Sequence, residues 1–80
     1  MGGVAVARKL RYAIYDTWHK AWLRQATPSD DGRHILATAW TFHPDEALRF
    51  PGIKSAMGMV RKLGSYSEFV VKNEKGEIVG

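Results

Sequence analysis

The sequence predicts an α+β domain: a three- to four-stranded, mainly antiparallel sheet with one principal helix, about residues 53–63, packed on one face. Three observations predict it. Leu10–Tyr15 alternates with the two-residue period of a strand, and Ile35–Phe42 has a strand's length and β-rich composition. Ile53–Leu63 alone changes to the period of an amphipathic helix. Clusters of Pro, Gly, Asp and Asn separate these segments where turns are needed. Eighty residues allow one domain. Residues 10–80 are expected to form it, behind a flexible N-terminal arm at residues 1–9, where Gly2 and Gly3 favour a frayed tip.

Each element has its own signal. In the first strand Leu10, Tyr12 and Ile14 share one face, and Arg11, Ala13 and Tyr15 the other. Asp16–His19 offers turn chemistry. Lys20–Gln25 then resumes alternation, with Ala21 and Leu23 on one side and Lys20, Trp22 and Arg24 on the other. A hairpin is the favoured reading; a helix over Thr17–Gln25 competes, because Ala, Leu, Lys and Arg all tolerate one. Thr27–Arg33, "TPSDDGR", is a loop. Ile35–Phe42 is apolar on both sides, as for a central strand. In "PDEALRF", Pro44 suits a first helical turn and Asp45 and Glu46 suit its dipole, with Pro51 as a stop.

The principal helix follows. Ile53, Ala56, Met57, Val60 and Leu63 form its apolar stripe. Arg61 and Lys62 complement the dipole of its last turn, and Gly64 is a ready cap. Gly58 inside it marks either a close backbone approach or a tolerated exposed point. Ser67–Lys72 reads as a strand, Asn73–Gly76 as a turn, and Glu77–Val79 as a short strand pairing back. The expected core is Leu10, Tyr12, Ile14, Leu23, Phe42, Leu48, Phe50, Ile53, Met57, Val60, Leu63, Phe69 and Val71, with Trp40 at its margin.

Composition narrows the function classes. There is no cysteine, which excludes disulfides and thiolate metal sites and favours a reducing, cytoplasmic setting. The apolar run Val4–Ala7 is shorter than a signal-peptide core of roughly 7–15 residues, and its basic residues follow it. No stretch approaches the roughly 20 apolar residues of a membrane span, so no membrane partner is expected. Net charge is +4, a mild bias toward acidic proteins or nucleic acid.

Catalytic and cofactor chemistry find no support. His19, His34 and His43 lack the spacing of a zinc site, and Asp30-Asp31 lacks further ligands at calcium-loop spacing. His43-Pro44-Asp45-Glu46 is better explained by helix-start electrostatics than by acid–base work. The glycines form no phosphate loop, and no serine sits in a nucleophile elbow. The expectation is a non-enzyme without catalytic residues, metal or cofactor.

The aromatics are more informative. Tyr15, Trp18 and Trp22 are interleaved with Arg11, Lys20 and Arg24, which makes this sheet face the candidate interaction surface. Trp, Tyr and Arg dominate protein-interface hot spots; the same mixture suits a single-stranded nucleic-acid platform. The bland alternative is that Trp22 and Trp40 pack on each other across neighbouring strands. Lys54, Arg61 and Lys62 form a secondary basic face on the outer arc of the helix. An exposed strand edge would also let two copies pair as a homodimer.

The order strand, strand, strand, acidic turn, helix, strand resembles small uncharacterised proteins of bacterial phages and prophages. The residues that carry the resemblance are Tyr12, Ile14, Glu46-Ala47-Leu48, Phe50, Ala56, Leu63-Gly64 and Phe69-Val70-Val71. It implies an accessory role in a mobile element: binding a component of host or phage, as an inhibitor would. The expected function is therefore a non-catalytic protein-binding factor, with nucleic-acid binding by the aromatic–basic face as the alternative.

Overall fold

The computed structural model describes residues 10–64 and 68–80. The strands are β1 (Ala13–Asp16), β2 (Ala21–Pro28), β3 (Ile35–Thr41) and β4 (Phe69–Lys72). A short 3₁₀ turn (Pro44–Glu46) and the helix α1 (Ile53–Leu63) lie between β3 and β4. The sheet order is β3-β2-β1-β4, and every neighbouring pair is antiparallel. The α+β class and the helix bounds are those the sequence predicts. The expected arm at residues 1–9 and Ser67 of the last predicted strand lie outside the described residues.

The β1–β2 connection is a hairpin, and Asp16 organises it. Asp16 is 3% exposed. Its Oδ1 accepts the backbone N–H groups of Trp18 (2.9 Å) and His19 (3.0 Å), and its carbonyl accepts that of Lys20 (2.8 Å). The helical alternative at residues 17–25 is thereby displaced: an Asp that accepts from the residues just after it stabilises a turn. Lys20 closes the turn at φ 59°, a left-handed backbone unusual for a side chain other than Gly, Asn or Asp.

β1 and β2 share only two paired positions, Tyr15–Trp22 and Asp16–Ala21. Beyond them the strands part, and the segment after the 3₁₀ turn bonds to β2 and to Tyr12 just ahead of β1. The Leu48 N–H reaches the Leu23 carbonyl (2.8 Å), and Phe50 and Tyr12 exchange bonds of 2.7 and 3.1 Å. β2 and β3 continue as a two-stranded arm whose register shifts leave Arg24 and Leu36 without cross-strand partners.

The core is smaller and more alanine-rich than expected. Ile14, Leu23 and Val71 are its large, fully buried side chains; Ala13, Ala21, Ala47 and Ala56 complete it. α1 packs mainly on β4 and β1. Its stripe is half-buried at Met57, Val60 and Leu63 and sealed at Ala56, whereas Ile53 at the first turn is exposed. Leu10 is 57% exposed because it precedes β1 and has no neighbouring strand. Phe42 is 76% exposed because β3 ends at Thr41 and Pro44 turns the chain away. β3 is an edge strand, not a central one. Gly58 faces open space, so no close approach demands it.

At the C-terminal turn Gly76 has φ 82°, and Asn73 accepts the N–H groups of Lys75 and Glu77 through Oδ1. The expected last strand reduces to one bridge, Ile78 to Lys72, with Val79 and Gly80 bonded to Val71. Those residues cover the outer edge of β4.

Candidate functional site

The two faces of the sheet carry different chemistry, and strand register separates them. Paired residues project to the same side, and alternation reverses the side at each step. Tyr15, Trp22, Val70, Lys72 and Thr41 therefore share one face, and Ile14, Asp16, Ala21, Leu23, Trp40, Phe69 and Val71 the other.

On the first face the Tyr15 and Trp22 rings meet at 4.8 Å between centroids, tilted by 59°. Lys72 from β4 sets its Nζ 3.9 Å from the Tyr15 ring centre and 5.3 Å from that of Trp22. Such a cation over an aromatic face contributes about 0.5–1 kcal/mol where exposed. Sequence reading joined Tyr15 to Trp22 but missed Lys72, which is 50 or more residues away and brought in only by the β1–β4 pairing.

The other members of the predicted surface are dispersed. Arg11 is exposed ahead of β1, Trp18 and Lys20 belong to the turn, and Arg24 is exposed at a register shift of β2. Lys20 thus does not share a strand face with Trp22. Trp18, 73% exposed, lies against His19 with centroids 5.5 Å apart. Trp22 and Trp40 do not pack on each other: adjacent register positions, Thr41 and Leu23, send them to opposite faces. Lys54, Arg61 and Lys62 are exposed along α1.

The second face holds a feature the sequence reading did not find. Trp40 stacks on Phe69 at 5.5 Å and 13°, although two strands separate β3 from β4. Small Ala21 lies between them in the sheet and leaves room for the rings to converge. Around them opens a hollow of about 470 Å³, lined by Asp16, His19, Ala21, Thr38, Trp40, Phe42 and Phe69. That volume lies within the usual range of ligand pockets, about 300–1,000 Å³. Strand alternation puts Thr38, Trp40 and Phe42 on one side; the partner Phe69 and the small residue between become visible only in the folded sheet.

Asp16 and His19 supply the ionisable groups of this hollow. The His19 ring Nδ1 donates to Asp16 Oδ2 at 2.7 Å. Burial pushes the Asp16 carboxyl up. The N–H of His19, the His19 ring and the N–H of Trp18 outweigh burial and hold it below its ordinary value.

The other acidic clusters are structural. Asp31 accepts from the Ser29 hydroxyl and the Arg33 N–H within the "TPSDDGR" loop. Glu46 accepts from the Thr41 hydroxyl at 2.7 Å, and that hydroxyl oxygen accepts the His43 N–H at 3.1 Å. Among the described residues no group of three His, Cys, Asp or Glu side chains is placed to hold a metal. No helix among them is long and apolar enough to cross a membrane. Comparisons with protein-family models, with curated proteins and with solved structures return no match.

Proposed function

We propose that this chain is a small non-catalytic binding protein that docks a protein partner in the cytoplasm through the aromatic end of its sheet. The observation that carries the proposal is the combination of two mostly exposed rings, Trp18 and Phe42, with a hollow walled by Trp40, Phe42 and Phe69. Exposed aromatic anchors beside a concavity are the chemistry of an interface hot spot. The resemblance to phage and prophage proteins extends the proposal to an accessory factor of a mobile element, acting on a host or phage component.

The alternative is nucleic-acid binding, favoured by Lys72 over Tyr15 and Trp22 and by the exposed Arg24, Lys54, Arg61 and Lys62. The Tyr15 and Trp22 rings are engaged with each other and with Lys72, which leaves less ring surface for a base.

The test is affinity capture with wild-type and Phe42→Ala baits of equal thermal stability. A protein held by the wild type, lost with Phe42→Ala and retained with Lys54→Ala/Arg61→Ala/Lys62→Ala supports docking at the aromatic end. Retention by Phe42→Ala refutes it. A generic oligonucleotide that shifts at low salt, with affinity falling as salt rises, favours the alternative instead.

A further inference from the structure

We propose that the hollow beside Trp40 is a binding site for an organic cation, the ammonium or guanidinium group of a basic side chain on the partner. The inference rests on the docking role above and names the chemistry of the group that enters. Three rings from two parts of the chain bound the hollow: Trp40 of β3 with Phe42 just beyond it, and Phe69 of β4. Aromatic faces carry negative potential and attract cations; the stack occupies one face each of Trp40 and Phe69, and Phe42 is 76% exposed. The lining also includes one carboxylate, Asp16, largely withdrawn from water. No Lys or Arg lines the hollow among the described residues, although the chain carries twelve of them. A cation entering here meets rings and a carboxylate, with His19 as the one group able to oppose it when protonated.

One hydrogen bond at Asp16, that to the His19 ring, can be exchanged for such a group. Oδ1 is committed to the backbone N–H groups of Trp18 and His19, which hold the turn. Oδ2 takes the His19 ring. That ring is 66% exposed, so an arriving cation can displace it without breaking the backbone bonds. Ala21, also in the lining, is too small to fill the space beside the carboxylate. An acidic side chain would be repelled by Asp16, and a purely apolar one would gain nothing from the carboxylate.

The experiment is an NMR titration of the full chain with N-acetyl-arginine methylamide and with its neutral near-isostere, N-acetyl-citrulline methylamide. The expected result is a saturable shift of the Trp40 indole N–H by the arginine compound, with the citrulline compound binding at least about fivefold more weakly. Asp16→Asn keeps an acceptor for the turn and is expected to weaken arginine binding about tenfold while leaving citrulline binding unchanged. If that variant does not fold, Phe69→Leu takes its place, keeping apolar volume but removing a ring. Arginine binding is then expected to fall, and an unchanged affinity would overturn the inference. Equal affinity for the two compounds also overturns it, while leaving an apolar docking hollow in place. Absence of a saturable shift with either compound overturns it too; the docking role is then decided separately by Phe42→Ala capture.

Discussion

Replacing Asp16 with alanine removes the acceptor that organises the first hairpin. Two backbone N–H groups, those of Trp18 and His19, lose their partner at 2.9 and 3.0 Å, and the His19 ring loses its own at 2.7 Å. Bonds to a charged acceptor contribute about 1.5–3 kcal/mol each when buried. Here the two donors share one oxygen and lie beside exposed residues, so water recovers part of the loss; the exposed His19 ring adds little. The expected destabilisation is about 2–3 kcal/mol for Asp16→Ala and about 1 kcal/mol for Asp16→Asn, which keeps one acceptor. With a urea slope near 1 kcal/mol/M for so small a chain, Asp16→Ala lowers the midpoint by about 2–3 M.

The pH dependence supplies a second reading of the same residue. Folding favours the ionised carboxylate, because its pKa is lowered from 3.8 in the native state. The stabilisation is therefore fully present above 3.8 and disappears as pH falls through the lower native value. Wild type and Asp16→Asn are expected to converge in stability in acid and to separate above that window. A urea midpoint unchanged in Asp16→Ala, or a wild-type advantage over Asp16→Asn that persists unaltered into strong acid, would refute the reasoning.

The other expectations concern packing and backbone. Ile14→Ala is expected to cost about 2–5 kcal/mol, because Ile14 is fully buried. Leu10→Ala changes stability by less than about 0.5 kcal/mol, since Leu10 is exposed; urea melts of the two variants settle the contrast. Gly58→Ala raises stability by about 0.5–1 kcal/mol, since a methyl there meets nothing and helix propensity improves; a loss would mean that the helix uses the gap. Lys20→Gly relieves the left-handed turn position and raises stability by about 1 kcal/mol, visible as a higher thermal midpoint. A double-mutant cycle on Tyr15→Ala and Trp22→Ala is expected to return a coupling of about 0.5–1.5 kcal/mol, and zero coupling would deny the ring contact.

Local signals in the sequence located the elements well. The Ile53–Leu63 stripe, the basic last turn and Gly64 set the helix, and Asp16 set the hairpin turn. Rank within the sheet was not legible, because "ILATAWTF" has the composition of a central strand and lies at an edge. Large apolar residues were assigned to the core by type, yet alanines 13, 21, 47 and 56 are buried while Leu10 and Phe42 are not. Alanine is too small to stand out in a periodicity argument; its burial depends on which neighbours lie above it. The candidate sites divide in the same way. Tyr15 and Trp22 were readable as near neighbours across a hairpin. The Trp40–Phe69 stack and Lys72 over Tyr15 depend on β4, which arrives only after the helix.

The outer side of β3 has a consequence for how molecules of this chain meet. From Ile35 to Thr41 the strand carries no charge and no proline, and no strand flanks it among the described residues. Edges of that kind are usually blunted by lysine or a bend, and here the irregularity at Leu36 is the main defence. Mutual repulsion from the +4 charge then does most to keep copies apart. Added salt shortens its reach to about 8 Å at physiological strength. Colloidal behaviour should thus worsen with ionic strength, first along the rim formed by this strand.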